Sequence, residues 1–192
     1  MALGLSTGGS TEYGAALALG LAGDTVRAEA IAEDLAKRFP EDTVVKFSYL
    51  PTIDAQVAIG RHDASRAIEV LQSAAPYALG LRTGTAFAAA LYPFYVRGEA
   101  YLEVHQASEA AAEFQRILDR PGVIVNDPIG ALAHLQLGRA YAMSGDTAKA
   151  RAAYQDFLTL WKDADPDIPI VKQAKAEYAK LGWRSFREQR LN

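Results

Sequence analysis

Cysteine is absent from the 192-residue chain, which excludes disulfide staples, thiolate catalysis and cysteine-ligated zinc without bearing on the redox compartment. Histidine is scarce. The three copies, His62, His105 and His134, stand too far apart to form a local metal pair, and the first two fall in expected inter-helix turns, so they read as solvated and not as ligands or general bases. No run approaches the roughly 20 apolar residues of a membrane span, and the start MALGLSTGGS has neither the basic residues nor the apolar stretch of an export signal. A cytoplasmic chain without a membrane span is the expectation. Excess positive charge is also missing, with a formal net charge of -3 and a pI near 5.6. The basic residues are scattered, which disfavours a nucleic-acid partner.

What is present is an apolar fraction of 50% against 22% charged residues, enough to build one globular core. Within it a pattern recurs. Leu137, Gly138, Tyr141, Ala150 and Tyr154 form the clearest copy, and Gly98, Tyr101, Ala110 and Phe114 form a second. A Gly, an aromatic three on, an Ala and a further aromatic at these intervals match the tetratricopeptide (TPR) pattern of paired helices. Two weaker copies precede them, one with Gly23-Asp24 in its turn, Ala28 at the small position and Pro40 at the end, the other with His62-Asp63, Ala67, Leu71 and Ala74. The small-position alanines, Ala28, Ala67, Ala110 and Ala150, are 39, 43 and 40 apart. The usual repeat is about 34, so the links between repeats are expected to be roughly five to nine residues longer.

Small residues at Gly98, Ala110, Gly138 and Ala150 let the two helices of a repeat cross closely, and Tyr101, Phe114, Tyr141 and Tyr154 fill the remaining gaps. Gly145 can end one helix while Asp146 caps the next, as Gly23 and Asp24 do earlier, and Asp127-Pro128 reads as a cap with a first-turn proline. Pro51 and Pro93 are placed near helix starts, where proline is tolerated. The segment IPIVKQAKAEYAKLG reads as a capping helix over the last repeat. The expected fold is therefore all-α: a TPR-like right-handed superhelix of about four helix-turn-helix repeats plus a C-terminal capping helix, nine helices in all. Its expected bounds are a flexible N-terminus at 1–10, the repeat domain at 11–182 and a tail at 183–192.

The segments NDPIGALAHLQLGRAYA, YQDFLTLWKDADPDIP, VLQSAAPY and AKRFPED resemble the TPR region that follows the kinase domain in some bacterial eukaryotic-like serine/threonine kinases and related regulators. The resemblance spans about residues 12 to 181 and implies a partner-binding or assembly module. Kinase activity does not carry over. There is no Gly-rich loop, His-Arg-Asp loop or Asp-Phe-Gly, and VAIG at 57–60 ends in Gly where the kinase strand needs Lys.

A TPR groove is lined by one face of each repeat's first helix, which in this register carries Tyr13, Leu17, Tyr49, Thr52, Gln56, Tyr92, Tyr95, Glu99, Leu132, Leu135, Gln136 and Arg139. Tyrosine suits a peptide-binding wall. Two readings stay open: these tyrosines line the groove, or they only pack against the neighbouring repeat. Glu99 and Arg139 hold the same position in consecutive repeats, and a structural ion pair between them is the expectation, with ligand contact the alternative. The Lys and Asn set that clamps a peptide C-terminus in chaperone-binding repeats is missing.

Two motifs are set aside on context. Gly4-Leu5-Ser6-Thr7-Gly8 matches the nucleophile-elbow pattern but lacks the strand-turn-helix that exposes the serine. Asp163, Asp165 and Asp167 alternate like a calcium loop, yet Ile168 stands where Gly is needed and Ala174 where Glu is needed. The expected function is a non-enzymatic scaffold, without metal or cofactor, that binds a protein or peptide in the concave groove. The alternatives are a self-associating homo-oligomer, using an exposed terminal repeat or Trp183, Phe186 and Leu191 of the tail, and a serine hydrolase using Ser6.

Overall fold

The computed structural model describes residues 8–77, 79 and 89–189. Among these there is no strand, and the helices follow one another as antiparallel pairs: α1 (Gly9–Leu21) with α2 (Thr25–Arg38), α3 (Leu50–Gly60) with α4 (Ala64–Ala74), α5 (Tyr92–Glu103) with α6 (Ala107–Leu118), and α8 (Ile129–Met143) with α9 (Thr147–Leu160). A single-turn α7 (Pro121–Ile124) lies in the last link, and α10 (Pro169–Gln189) packs on α9. Ten helices are thus described where nine were expected. The extra one is the four-residue α7, too short to be read from a periodic pattern.

Each hairpin is built from the same two positions. Gly23, His62, His105 and Gly145 all take a left-handed backbone, with φ of 85, 62, 60 and 83°. That conformation ends a helix and favours glycine. The next residue then serves two helices. The amide N–H of Asp24, Asp63, Gln106 and Asp146 donates back to the carbonyl of Leu19, Ala58, Tyr101 and Tyr141 at 2.8 to 2.9 Å, closing the first helix. The carboxylates of Asp24, Asp63 and Asp146 accept from the amides of Arg27, Arg66 and Lys149 at 3.1 Å, opening the second. Gln106 makes no such cap. Gln106→Asp is accordingly expected to stabilise the chain by about 1 kcal/mol, measured as a raised urea midpoint with unchanged slope.

Helix crossings follow the expected small-large logic. A Cβ placed on Gly98 would stand 2.6 Å from the Phe114 ring, and one on Gly138 would stand 2.9 Å from the Tyr154 ring. No side chain fits there. The corresponding positions of the first two repeats hold Ala16 and Ala32, and Ala55 and Leu71, all buried. Where the first helix carries alanine, the second carries something smaller than an aromatic ring. Ala28, Ala67, Ala110 and Ala150 are all fully buried, as expected of the small position.

The lengthened links are structured where they are described. Before α3 the chain is already helical from residue 43, capped by Asp42, whose carboxylate accepts from Val44 and Val45 at 2.8 and 3.0 Å. A π-turn, Val45–Tyr49, then precedes Pro51. Proline lacks an N–H and its ring clashes with the carbonyl four residues back, and a widened turn relieves both. Pro51 therefore sits one turn and more inside its helix, further from the start than the sequence suggested. In the last link Ile124 of α7 packs against Gly130, whose Cβ would meet it at 2.6 Å. Asp127 accepts from the Ile129 amide at 3.0 Å, and Pro128 precedes the first helical residue instead of occupying the first turn.

Candidate functional site

Because α1, α3, α5 and α8 pack side by side in that order, one face of each joins a common surface, and α10 closes its far end. A cavity of about 360 Å³ lies on this surface. Gln56 and Ile59 of α3, Glu99 and Leu102 of α5, and Gln136 and Arg139 of α8 line it. Leu21 at the end of α1 and Gln173 and Glu177 of α10 complete the wall.

The structure thus brings together four of the residues expected in the groove, Gln56, Glu99, Gln136 and Arg139. The tyrosine wall is corrected. Tyr13 and Tyr49 are buried and stacked on each other, with centroids 4.1 Å apart and planes 5° off parallel. Tyr95 is buried edge-on to Phe114 at 5.8 Å. Thr52 is buried, its hydroxyl donating to the Ser48 carbonyl at 2.7 Å, and Leu17 and Leu135 are core. Tyr92 donates to the Asp127 carboxylate at 3.1 Å in the link. Burial takes the rings of Tyr13, Tyr49 and Tyr95 out of the cavity wall: the first two stack across consecutive repeats, and Tyr95 packs on Phe114 of its own repeat.

Glu99 and Arg139 do not pair directly as expected. Arg139 instead forms a bidentate pair with Glu177 at 2.9 and 3.0 Å, a geometry that a guanidinium favours. Gln136 sits between them. Its amide nitrogen donates to Glu99 at 2.8 Å and to the Tyr95 hydroxyl at 3.1 Å, while its oxygen accepts from Arg139 at 3.2 Å. Tyr154 donates to Glu177 at 2.8 Å. Sequence spacing missed Glu177, because it lies 38 residues beyond Arg139 on the cap.

The two carboxyls differ in their environment. Burial pushes Glu99 up to about 7, against the lowering influence of Tyr95, Arg139 and Gln136. Burial also pushes Glu177 up, but its bonds to Arg139 and Tyr154 outweigh it and leave that carboxyl below the ordinary glutamate range. The consequence for stability has a definite sign. Between about pH 4.5 and 7 the folded Glu99 holds a proton that the unfolded chain has released, so stability falls as pH rises through this window. Glu99→Gln is expected to remove that slope and to stabilise the chain at pH 8 by on the order of 2 kcal/mol, read from urea unfolding across pH 4 to 8.

Nothing in the local pattern warned of a buried ion pair beneath the groove. Arg97 donates to Glu113 at 2.7 Å and to the Leu71 carbonyl at 3.2 Å, tying α5 to α6 and to the end of α4. Both side chains are buried. Of the histidines, His62 and His105 lie in hairpin turns, and His134 faces Asp156 at 3.5 Å, its burial lowering its pKa. Among the described residues no three metal-binding groups cluster and no helix is long and apolar enough to cross a membrane. Gly4 to Thr7 lie outside the described residues, as do the side chains of Trp183, Phe186 and Leu191, although the α10 backbone continues to Gln189.

Comparison with known proteins bears on this architecture. A tetratricopeptide repeat family model matches residues 132–164, which span most of α8 and all of α9. No curated protein matches the chain. Two solved structures of a putative kinesin light chain with nearly identical TPR-like repeats, from Podosopora anserina, are similar in fold. The first has a TM-score of 0.65 and the second, a substituted form of the same protein, 0.66, each at 15% identity over 94% of this chain and 88% of that one. Such repeats generally serve as protein-interaction modules without chemistry of their own. A tetratricopeptide repeat at 132–164, continued by three further helix pairs of the same design and by TPR-like solved structures over nearly the whole length, makes this chain a TPR-fold helical-repeat protein.

Proposed function

We propose that the chain is a non-catalytic scaffold that holds another polypeptide, as an extended peptide or a helix, in the groove lined by α1, α3, α5, α8 and α10. The observation that carries this reading is the cavity itself. Four helices and the cap contribute to one hollow, and its lining mixes polar groups held in fixed geometry by Gln136 with the apolar Leu21, Ile59 and Leu102. That combination suits a peptide, whose backbone needs hydrogen-bond partners and whose side chains need apolar contact.

A photo-reactive phenylalanine analogue placed at Leu21, which is 43% exposed, samples the groove mouth without disturbing the core. The same group at Val26, 72% exposed on α2, samples surface outside the cavity lining. Cross-linking of a protein partner from position 21 and not from 26 is expected. Adducts from 26 alone would overturn the groove as the binding surface.

A further inference from the structure

Charges in the groove do not balance. Two carboxylates, Glu99 and Glu177, face one guanidinium, Arg139, and that guanidinium is engaged by Glu177 in a bidentate pair. Glu99 is left with neutral donors, Gln136 and the Tyr95 hydroxyl, and among the described residues no cation forms an ion pair with it. A buried carboxylate without a cation is costly. That shortfall calls for a visitor that brings positive charge on a hydrogen-bond donor.

Resting on the groove reading above, we propose that the cavity takes one basic side chain from an extended partner peptide, its cationic head donating to the Glu99 carboxylate, its methylene stem lying along Leu21, Ile59 and Leu102. Lysine and arginine both combine such a stem with such a head. A peptide presenting a carboxylate there meets Glu99 and Glu177 and is rejected by like charge. The proton on Glu99 then becomes a competitor of the ligand. From the elements around it, the groups facing Glu99 are Tyr95 on α5, Gln136 and Arg139 on α8, Gln56 on α3 and Glu177 on α10. Of these Arg139 and Glu177 keep opposite charges between pH 6 and 8, so Glu99 is the group whose charge changes. Its carboxyl at about 7 is some nine-tenths protonated at pH 6 and nine-tenths ionised at pH 8, and affinity is expected to be about tenfold weaker at the lower pH.

The test selects random twelve-residue peptides displayed on phage against the full chain at pH 8. Synthetic copies of the recovered peptides are titrated by fluorescence anisotropy against wild type, Leu21→Trp and Glu99→Gln. Peptides whose binding is lost on Leu21→Trp are expected to share one Lys or Arg. Replacing it with norleucine should weaken binding at least tenfold on wild type and less than twofold on Glu99→Gln, whose melting curve is recorded alongside and is expected to match that of a folded chain. Groove-bound peptides indifferent to that replacement, or carrying an acidic residue in its place, would overturn the inference and leave the scaffold reading intact. Recovery only of peptides that bind Leu21→Trp as well as wild type, or recovery of none, would overturn both.

Discussion

Glu113→Ala is expected to destabilise the chain by about 3 to 5 kcal/mol, because it strands the buried Arg97 guanidinium without its carboxylate. What remains to Arg97 is the Leu71 carbonyl at 3.2 Å and the face of Phe94, with its centroid 5.7 Å away. Neither neutralises a full charge out of water. Arg97→Ala should cost less, since Glu113 keeps Arg116 at 3.0 Å and that arginine is half exposed. The double replacement Arg97→Met with Glu113→Leu removes both charges and fills the space. It should recover most of the loss, leaving about 1 kcal/mol from the Leu71 carbonyl, which sits in the last turn of α4 where helical carbonyls lack intrahelical donors. Urea unfolding of the four proteins measures the set. A loss below about 1 kcal/mol for Glu113→Ala would mean that water reaches the pair.

Gly98→Leu is the second large effect, at about 3 kcal/mol. The added Cβ alone would stand 2.6 Å from two atoms of the Phe114 ring, and that ring is fully buried against Tyr95, so it has little room to give way. Repeat two shows how the same crossing is built without glycine. Its corresponding residues are Ala55 and Leu71, both buried. Gly98→Ala combined with Phe114→Leu copies that solution into repeat three and is expected to unfold within about 1 to 2 kcal/mol of wild type. Additive losses from the two single changes, with no coupling, would show that the residues do not share one packing site.

Those crossings were legible in the sequence because the information is local. A small residue, an aromatic three on, and a second small-large pair twelve and sixteen residues after the first small one describe two helices that meet, and nothing beyond the hairpin is needed. Gln56, Glu99, Gln136 and Arg139 were placed on the groove for a related reason, since the same register carried through successive repeats puts equivalent positions on one surface. The fate of the tyrosines was not legible. Tyr95 and Glu99 are four apart and share a helix face, yet one ring is core and the other side chain lines the cavity. Side-chain depth is decided by the neighbouring repeat, which periodicity does not encode.

Other misses have the same origin. Glu177 joins the site through the angle at which α10 crosses α9, and no motif sets that angle. Arg97 stands on an apolar stripe between Phe94 and Tyr101, where a charge reads as a break in the pattern, although it is an anchor between repeats. The π-turn before Pro51 was hidden because a proline near a helix start needs no special geometry, whereas here the helix had begun at residue 43.

One residue in each hairpin closes the helix before it and, in three of the four, opens the helix after it. The two members of a repeat therefore share a joint whose opening exposes orphaned backbone groups at both ends together. Fraying should advance repeat by repeat, with hydrogen exchange protecting whole pairs as blocks and the described links at 39–42 and 119–128 exchanging ahead of them. The third block, whose joint lacks the carboxylate, should be the first interior one to let go.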